Sequence, residues 1–89
     1  MSTLGKILKE KRKKIGASQA EVAKKLGYSS PQFISNWERG LSAPPVTSLR
    51  TLASLYKISP ENLFQIYLKT TLKMVETDIR RKFSKRRAN

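Results

Sequence analysis

Apolar residues recur at three- and four-residue intervals along most of the chain, a pattern that predicts helices and no strand. The first helix covers about 4–14, with Leu4, Ile7, Leu8 and Ile15 on its apolar side and Gly16 as terminator. Two shorter helices are legible in the run SQAEVAKKLGYSSPQFISNWERG, which occupies 18–40. Ser18 caps the earlier of these and Glu21 reaches back to it as a capping box, after which Val22, Ala23 and Leu26 share a face until Gly27 ends the run. Ser30 then offers a second cap and Pro31 fits the first helical position, where no N–H is missed; Ile34 and Trp37 share a face until Gly40. Pro44-Pro45 opens a fourth helix in which Val46, Leu49, Leu52, Ala53 and Tyr56 are expected to face inward.

Ile58 covers the core built from these stripes, and Ser59-Pro60-Glu61 starts a fifth helix with a cap, a proline and an acid at its positive end. No breaker follows until about Ser84. This helix carries two apolar faces where a monomer needs one. Leu63, Ile66, Tyr67 and Met74 form one, and Phe64, Leu68, Leu72, Val75, Ile79 and Phe83 form a separate narrow stripe. The second stripe, with Leu68, Leu72, Val75 and Ile79 at its centre, is the expected dimer interface. The fold class expected is all-α, a compact five-helix domain over 1–64 with a helical extension over 65–84 and a basic, disordered tail over 85–89.

Charge narrows the function. Nineteen Lys and Arg against six Asp and Glu leave a formal net charge of +13, more than solubility requires, and favour a polyanionic partner. An anionic membrane surface is the weaker choice, since no apolar run approaches the roughly 18 residues of a spanning helix and the N-terminus lacks the apolar core of a signal peptide. With no Cys and no His, thiolate and imidazole chemistry is excluded, as are zinc sites and disulfides. The scattered carboxylates make a poor acid–base pair and no Gly-rich phosphate loop is present, so neither an enzyme nor a metal or other cofactor is expected. A chain of this size buries only about 60–65% of its unfolded surface, and a partner copy would add stability.

Two short helices about a glycine turn form a helix-turn-helix. In detail the run resembles the Cro and phage-repressor family, also called the XRE family. The matching positions are Gly5, Leu8 and Arg12 in the first helix; Ser18, Gln19, Ala23, Leu26 and Gly27 in the second; and Ile34, Ser35, Glu38, Arg39 and Gly40 in and after the third. Pro44, Leu49 and Ala53 follow, so the resemblance spans about 4–64. The interval from Gly27 to Gly40 is one residue longer than the commonest family spacing, and the extra residue is assigned to Tyr28-Ser29.

The resemblance makes the third helix the recognition element. Gln32 and Asn36, four apart on one face, are amides suited to the paired donor and acceptor edge of adenine in the major groove. Pro31 takes a base-contacting position with van der Waals contact only, and Phe33 can either do the same or pack within the protein. Gln19, Ser30, Ser35 and Arg39 are expected at phosphates, Gln19 because it sits in the first turn of a helix where unpaired N–H groups and the dipole attract anions. Arg12 and Glu38 match the family's ion pair between first and third helices, a scaffold element. Trp37 is expected in the core. The run Lys9, Lys11, Arg12, Lys13 and Lys14 adds unspecific attraction for a duplex, whereas the C-terminal basic residues suit either phosphate contact or solubility.

The expected function is therefore sequence-specific binding of double-stranded DNA by a homodimeric regulator, a repressor on an inverted-repeat operator, in the cytoplasm and nucleoid of a prokaryote or phage. No ligand-binding domain fits the length, so control would come from concentration, proteolysis or a regulatory protein partner. Two rivals stand beside it: an antitoxin-like protein-interaction subunit with secondary DNA binding, and a nonspecific nucleic-acid binder.

Overall fold

The computed structural model describes residues 3–87. Among them are five α-helices and no strand: α1 (Thr3–Lys14), α2 (Gln19–Lys25), α3 (Gln32–Glu38), α4 (Leu49–Tyr56) and α5 (Pro60–Arg87). α1 packs on α3 and α5, α2 on α3, and α4 on α5. Each helix contributes to one core: Leu4 and Leu8 from α1, Val22 and Ala23 from α2, Ile34 and Trp37 from α3, Leu49, Leu52, Ala53 and Tyr56 from α4, and Leu63 from α5. The all-α expectation holds, and so does the assignment of Trp37 to the core.

Local signals account for most boundaries. Ser18 Oγ accepts from the Glu21 N–H at 3.0 Å, and the Ser18 N–H donates to Glu21 Oε1 at 2.8 Å. The Glu21 carboxylate is held below its usual range by hydrogen bonding from Ser18, first from its backbone N–H and then from its side chain. α1 and α2 both turn off through glycines with positive φ, Gly16 at 75° and Gly27 at 87°. α4 ends instead on Lys57 at φ 57°, a left-handed position that costs a side chain on the order of 1 kcal/mol. Its following neighbour Ile58 donates back to Ala53 O at 3.0 Å and so completes the turn.

Gly5 lies inside α1 rather than at its end. A Cβ there would stand 2.6 Å from Trp37 O and 2.7 Å from Glu38 O. Backbone carbonyls cannot swing aside, so α1 approaches the end of α3 this closely only because residue 5 has no side chain.

Several expectations need correction. The helix expected to start at Pro44-Pro45 begins later: Pro45 has ψ 143°, an extended value, and a 3-10 turn (Val46–Ser48) intervenes before α4. The Ser48 hydroxyl donates to Pro45 O at 2.8 Å, and Val46, expected inward, is exposed. α3 starts at Gln32, one residue after the position read from Pro31, so Pro31 and not Ser30 takes the cap position; Ser30 Oγ accepts from the Gln32 N–H at 3.3 Å from one residue further out. Ile15 is exposed beyond the end of α1. α5 passes the expected stop at Ser84 and continues to Arg87, so Lys85, Arg86 and Arg87 are helical and not a disordered tail; Ala88 and Asn89 lie outside the described residues.

The far half of α5 has no core beneath it. Leu63 is fully buried, and Phe64, Ile66 and Tyr67 pack on the core, with Leu68 half-buried beyond them. Glu76 pairs with Arg80 at 2.9 Å and Asp78 with Lys82 at 3.0 Å, each acid one turn ahead of its base, the favourable order on a helix surface.

Candidate nucleic-acid interface

α3 divides cleanly between an inward and an outward side. Ile34, Trp37 and Glu38 are buried, Gln32, Phe33 and Arg39 are exposed, and Ser35 and Asn36 are half-buried. Pro31 and Ser30 precede it on the surface. Phe33 stays about half exposed, with its ring 4.9 Å from that of Tyr28, which meets Trp37 edge-on at 5.9 Å. The Tyr28 ring therefore bridges the turn to α3.

The buried end of α3 is held by charge. Arg12 donates from Nε to Glu38 Oε2 at 2.6 Å and from Nη2 to Oε1 at 3.0 Å, a two-bond pairing of guanidinium and carboxylate. Arg12 Nη1 also donates to Ala17 O at 3.0 Å, which ties the turn after α1 into the same cluster. The bond to Glu38 raises the Arg12 pKa above its already high ordinary value, against an opposing effect of burial. No buried side-chain nitrogen or oxygen among the described residues lacks a hydrogen-bond partner.

Gln19 joins that cluster, which the sequence did not suggest. Its Nε2 donates to Glu38 Oε1 at 3.0 Å, so one of its two amide hydrogens is committed within the protein and one remains for an outside acceptor. The half-buried residue links the first turn of α2 to the end of α3.

On the outward side three side chains form a chain of bonds. Gln32 Nε2 donates to Asn36 Oδ1 at 2.9 Å, and Arg39 Nη2 donates to the same oxygen at 3.0 Å. Gln32 and Asn36 thus share a face as their spacing predicts, and Arg39 closes it.

Arg39 also borders an open groove of about 680 Å³ that runs past Gly40 to α5, where Lys69 and Lys73 line it with Ile66 and Met74. Those two lysines were not singled out from the sequence. The one available signal was their spacing, a turn apart between Ile66 and Met74 on the face of the fifth helix that turns toward the domain. Three cations beside the exposed end of α3 form a surface suited to phosphate. Among the described residues no group of three or more His, Cys, Asp or Glu could hold a metal ion, and no helix is long and apolar enough to cross a membrane.

A family profile described as helix-turn-helix matches residues 8–63, which takes in most of α1, all of α2 to α4 and the start of α5. The chain is also similar to the HTH-type transcriptional regulator ImmR of Bacillus subtilis (strain 168), with 41% identity over 61 residues, or 68% of this chain. The match covers 47% of that relative's own length. With its capped second helix, its outward amides on the third and more than half its length matched, the chain belongs to the Cro and phage-repressor (XRE) family of helix-turn-helix DNA-binding regulators.

Proposed function

We propose that the protein is a sequence-specific double-stranded DNA-binding transcription regulator, a repressor that acts as a homodimer on an inverted-repeat operator. The observation that carries this reading is the outward face of α3, where Gln32 and Asn36 stand side by side with Arg39 while the opposite face is buried. A recognition helix needs both: base-reading groups outside and a rigid seat inside. Gln32, Asn36 and Pro31 contact bases. Gln19, through its remaining amide hydrogen, acts with Ser30, Ser35 and Arg39 on phosphates, and Lys69 and Lys73 extend the phosphate track along the groove beside Arg39. The role is binding and not catalysis, without metal or cofactor. The Arg12–Glu38–Gln19 cluster holds α3 at a set angle to α1 and α2.

The homodimer is supported by α5. Leu72, Val75, Ile79 and Phe83 are each more than half exposed, in line with half-buried Leu68. Leaving such side chains in water forfeits about 1.5–3 kcal/mol for each that could be buried, and a second copy of the helix offers the complementary stripe. Two recognition helices about 34 Å apart would then read half-sites about 10 base pairs apart. The similar protein ImmR is an HTH-type transcriptional regulator, which agrees with this role. Residence in a prokaryotic or phage-infected cytoplasm on the nucleoid follows from it, with a regulatory protein partner as one route of control.

Genome-wide mapping of bound sites tests the proposal. A shared inverted repeat upstream of genes whose transcription rises on deletion is the expected result; scattered occupancy without a common motif would reject sequence-specific repression.

A further inference from the structure

We infer that Arg39 sets the base that Asn36 can read, by fixing which way the Asn36 amide faces. The inference rests on the reading of α3 as a recognition helix and concerns how that helix discriminates. A guanidinium has only donors, so the atom of Asn36 that meets Arg39 Nη2 at 3.0 Å must be the carbonyl oxygen. The same oxygen then accepts from Gln32 at 2.9 Å, which requires Gln32 to present its nitrogen there. One donor-only side chain thereby orients both amides.

The consequence differs for the two residues. Both lone pairs of Asn36 Oδ1 are engaged, and only its Nδ2 hydrogens remain for a base. Asn36 is a donor without a free acceptor. It suits the acceptor edge of guanine, N7 and O6, or thymine O4, opposes the N4 amine of cytosine, and lacks the acceptor needed for the two-bond reading of adenine. Gln32 keeps Oε1 and one Nε2 hydrogen, the pair that matches adenine N6 and N7. The two amides, alike in the sequence, are assigned different bases by a third residue at the end of the helix. Without Arg39 the Gln32–Asn36 pair can form in either sense, and that distinction disappears.

Arg39 is thus a positioning residue as well as a phosphate contact, and a phosphate contact alone would not move base preference. The test is selection of bound sequences from a randomised duplex pool with the unmodified protein and with Asn36→Ala, Arg39→Ala and Arg39→Lys, at low salt so that weakened variants still bind. Asn36→Ala identifies the base pair that Asn36 reads. At that pair the unmodified protein is expected to favour guanine or thymine over adenine, and Arg39→Ala to reduce this discrimination by roughly 5-fold or more, the lower end of what one base contact provides. Arg39→Lys, whose ammonium also only donates, is expected to retain it. Adenine favoured at that pair, or a discrimination that Arg39→Ala leaves unchanged, would overturn the inference while leaving the recognition helix in place. No base preference anywhere in the unmodified protein would overturn both.

Discussion

Arg12 on α1 and Glu38 on α3, 26 residues apart in the chain, meet through two hydrogen bonds of 2.6 and 3.0 Å with the carboxylate almost wholly out of water. Such a pair adds little net stability over a well-packed apolar one, because desolvation offsets the attraction, but its halves cannot be separated cheaply. Its value is angular: it fixes the end of α3 to α1 at the point where Gly5 lets the two backbones come close.

Arg12→Met is therefore expected to destabilise the fold by about 3–5 kcal/mol, toward the lower end because Gln19 still donates to Glu38. Replacing Arg12 and Glu38 together by apolar residues should cost less than Arg12→Met alone. Thermal melts of these variants beside Lys13→Met, a change at an exposed position, decide it; equal melting temperatures for Arg12→Met and Lys13→Met would show that the pair does not hold the helices.

Gly5→Ala should also destabilise, although alanine is intrinsically better in a helix by about 1 kcal/mol. The added methyl carbon meets two carbonyl oxygens at 2.6 and 2.7 Å, and moving α1 away strains the Arg12–Glu38 bonds as well. A net loss of about 1–3 kcal/mol in urea unfolding is expected. A rise in stability would mean that α1 and α3 stand further apart.

Alkaline pH provides a test of the core. Burial pushes the Tyr56 hydroxyl up to about 12, with the Glu38 carboxylate adding to the rise and Arg12 opposing it. An unfolded tyrosine ionises near about pH 10. Between those values the unfolded chain loses this proton and the folded one keeps it, so the Tyr56 contribution is intact below about pH 10 and is lost as pH rises toward about 12. Tyr56→Phe should accordingly show a flatter fall of stability across that window. Parallel slopes for the two proteins would indicate a tyrosine that ionises as readily folded as unfolded.

Gln32→Ala and Asn36→Ala are expected to cost about 1–3 kcal/mol each on the preferred site and little on random duplex. Lys69→Ala and Lys73→Ala should instead weaken all sequences nearly alike, each lowering the salt slope of binding by roughly 1. Binding titrations across a range of salt separate the classes. If the glutamine and asparagine variants lost affinity equally on both duplexes, the outward face of α3 would not be the reader.

Changing Leu72 and Val75 to Lys should reduce self-association and operator affinity together, since both side chains are more than half exposed in the single chain and no core depends on them. Sedimentation equilibrium gives the first quantity and a titration with operator duplex the second. A protein that is monomeric at operator-binding concentration, or a double variant with undiminished affinity, would rule out pairing through α5; loss of binding to a different protein instead would favour an interaction subunit.

Helix identity, the capping box at Ser18 and Glu21, the turns at Gly16 and Gly27, and the burial of Leu8, Ile34, Trp37 and Leu52 were all determined by the sequence, because each depends on φ preference, hydrogen bonding or periodicity within a few residues. The outer stripe of Leu72, Val75, Ile79 and Phe83 was legible for the same reason, whereas Phe64, read into that stripe, packs on the core and Met74, read onto the inner face, is exposed because the core ends before it. Where Pro45 is extended and Val46 exposed, the local rule failed because a proline fits the first turn of a helix and a polyproline stretch equally well. Only the tertiary structure decided that Gln19 spends a donor on Glu38, that Lys69 and Lys73 stand in the groove beside Arg39, and that Gly5 is needed for a close approach and not for a turn. Which atom of Asn36 meets Gln32 and Arg39 was decided there too. These are distances and orientations between side chains that different helices or successive turns bring together, and hydrophobic periodicity says which face is covered without saying which polar atom meets which.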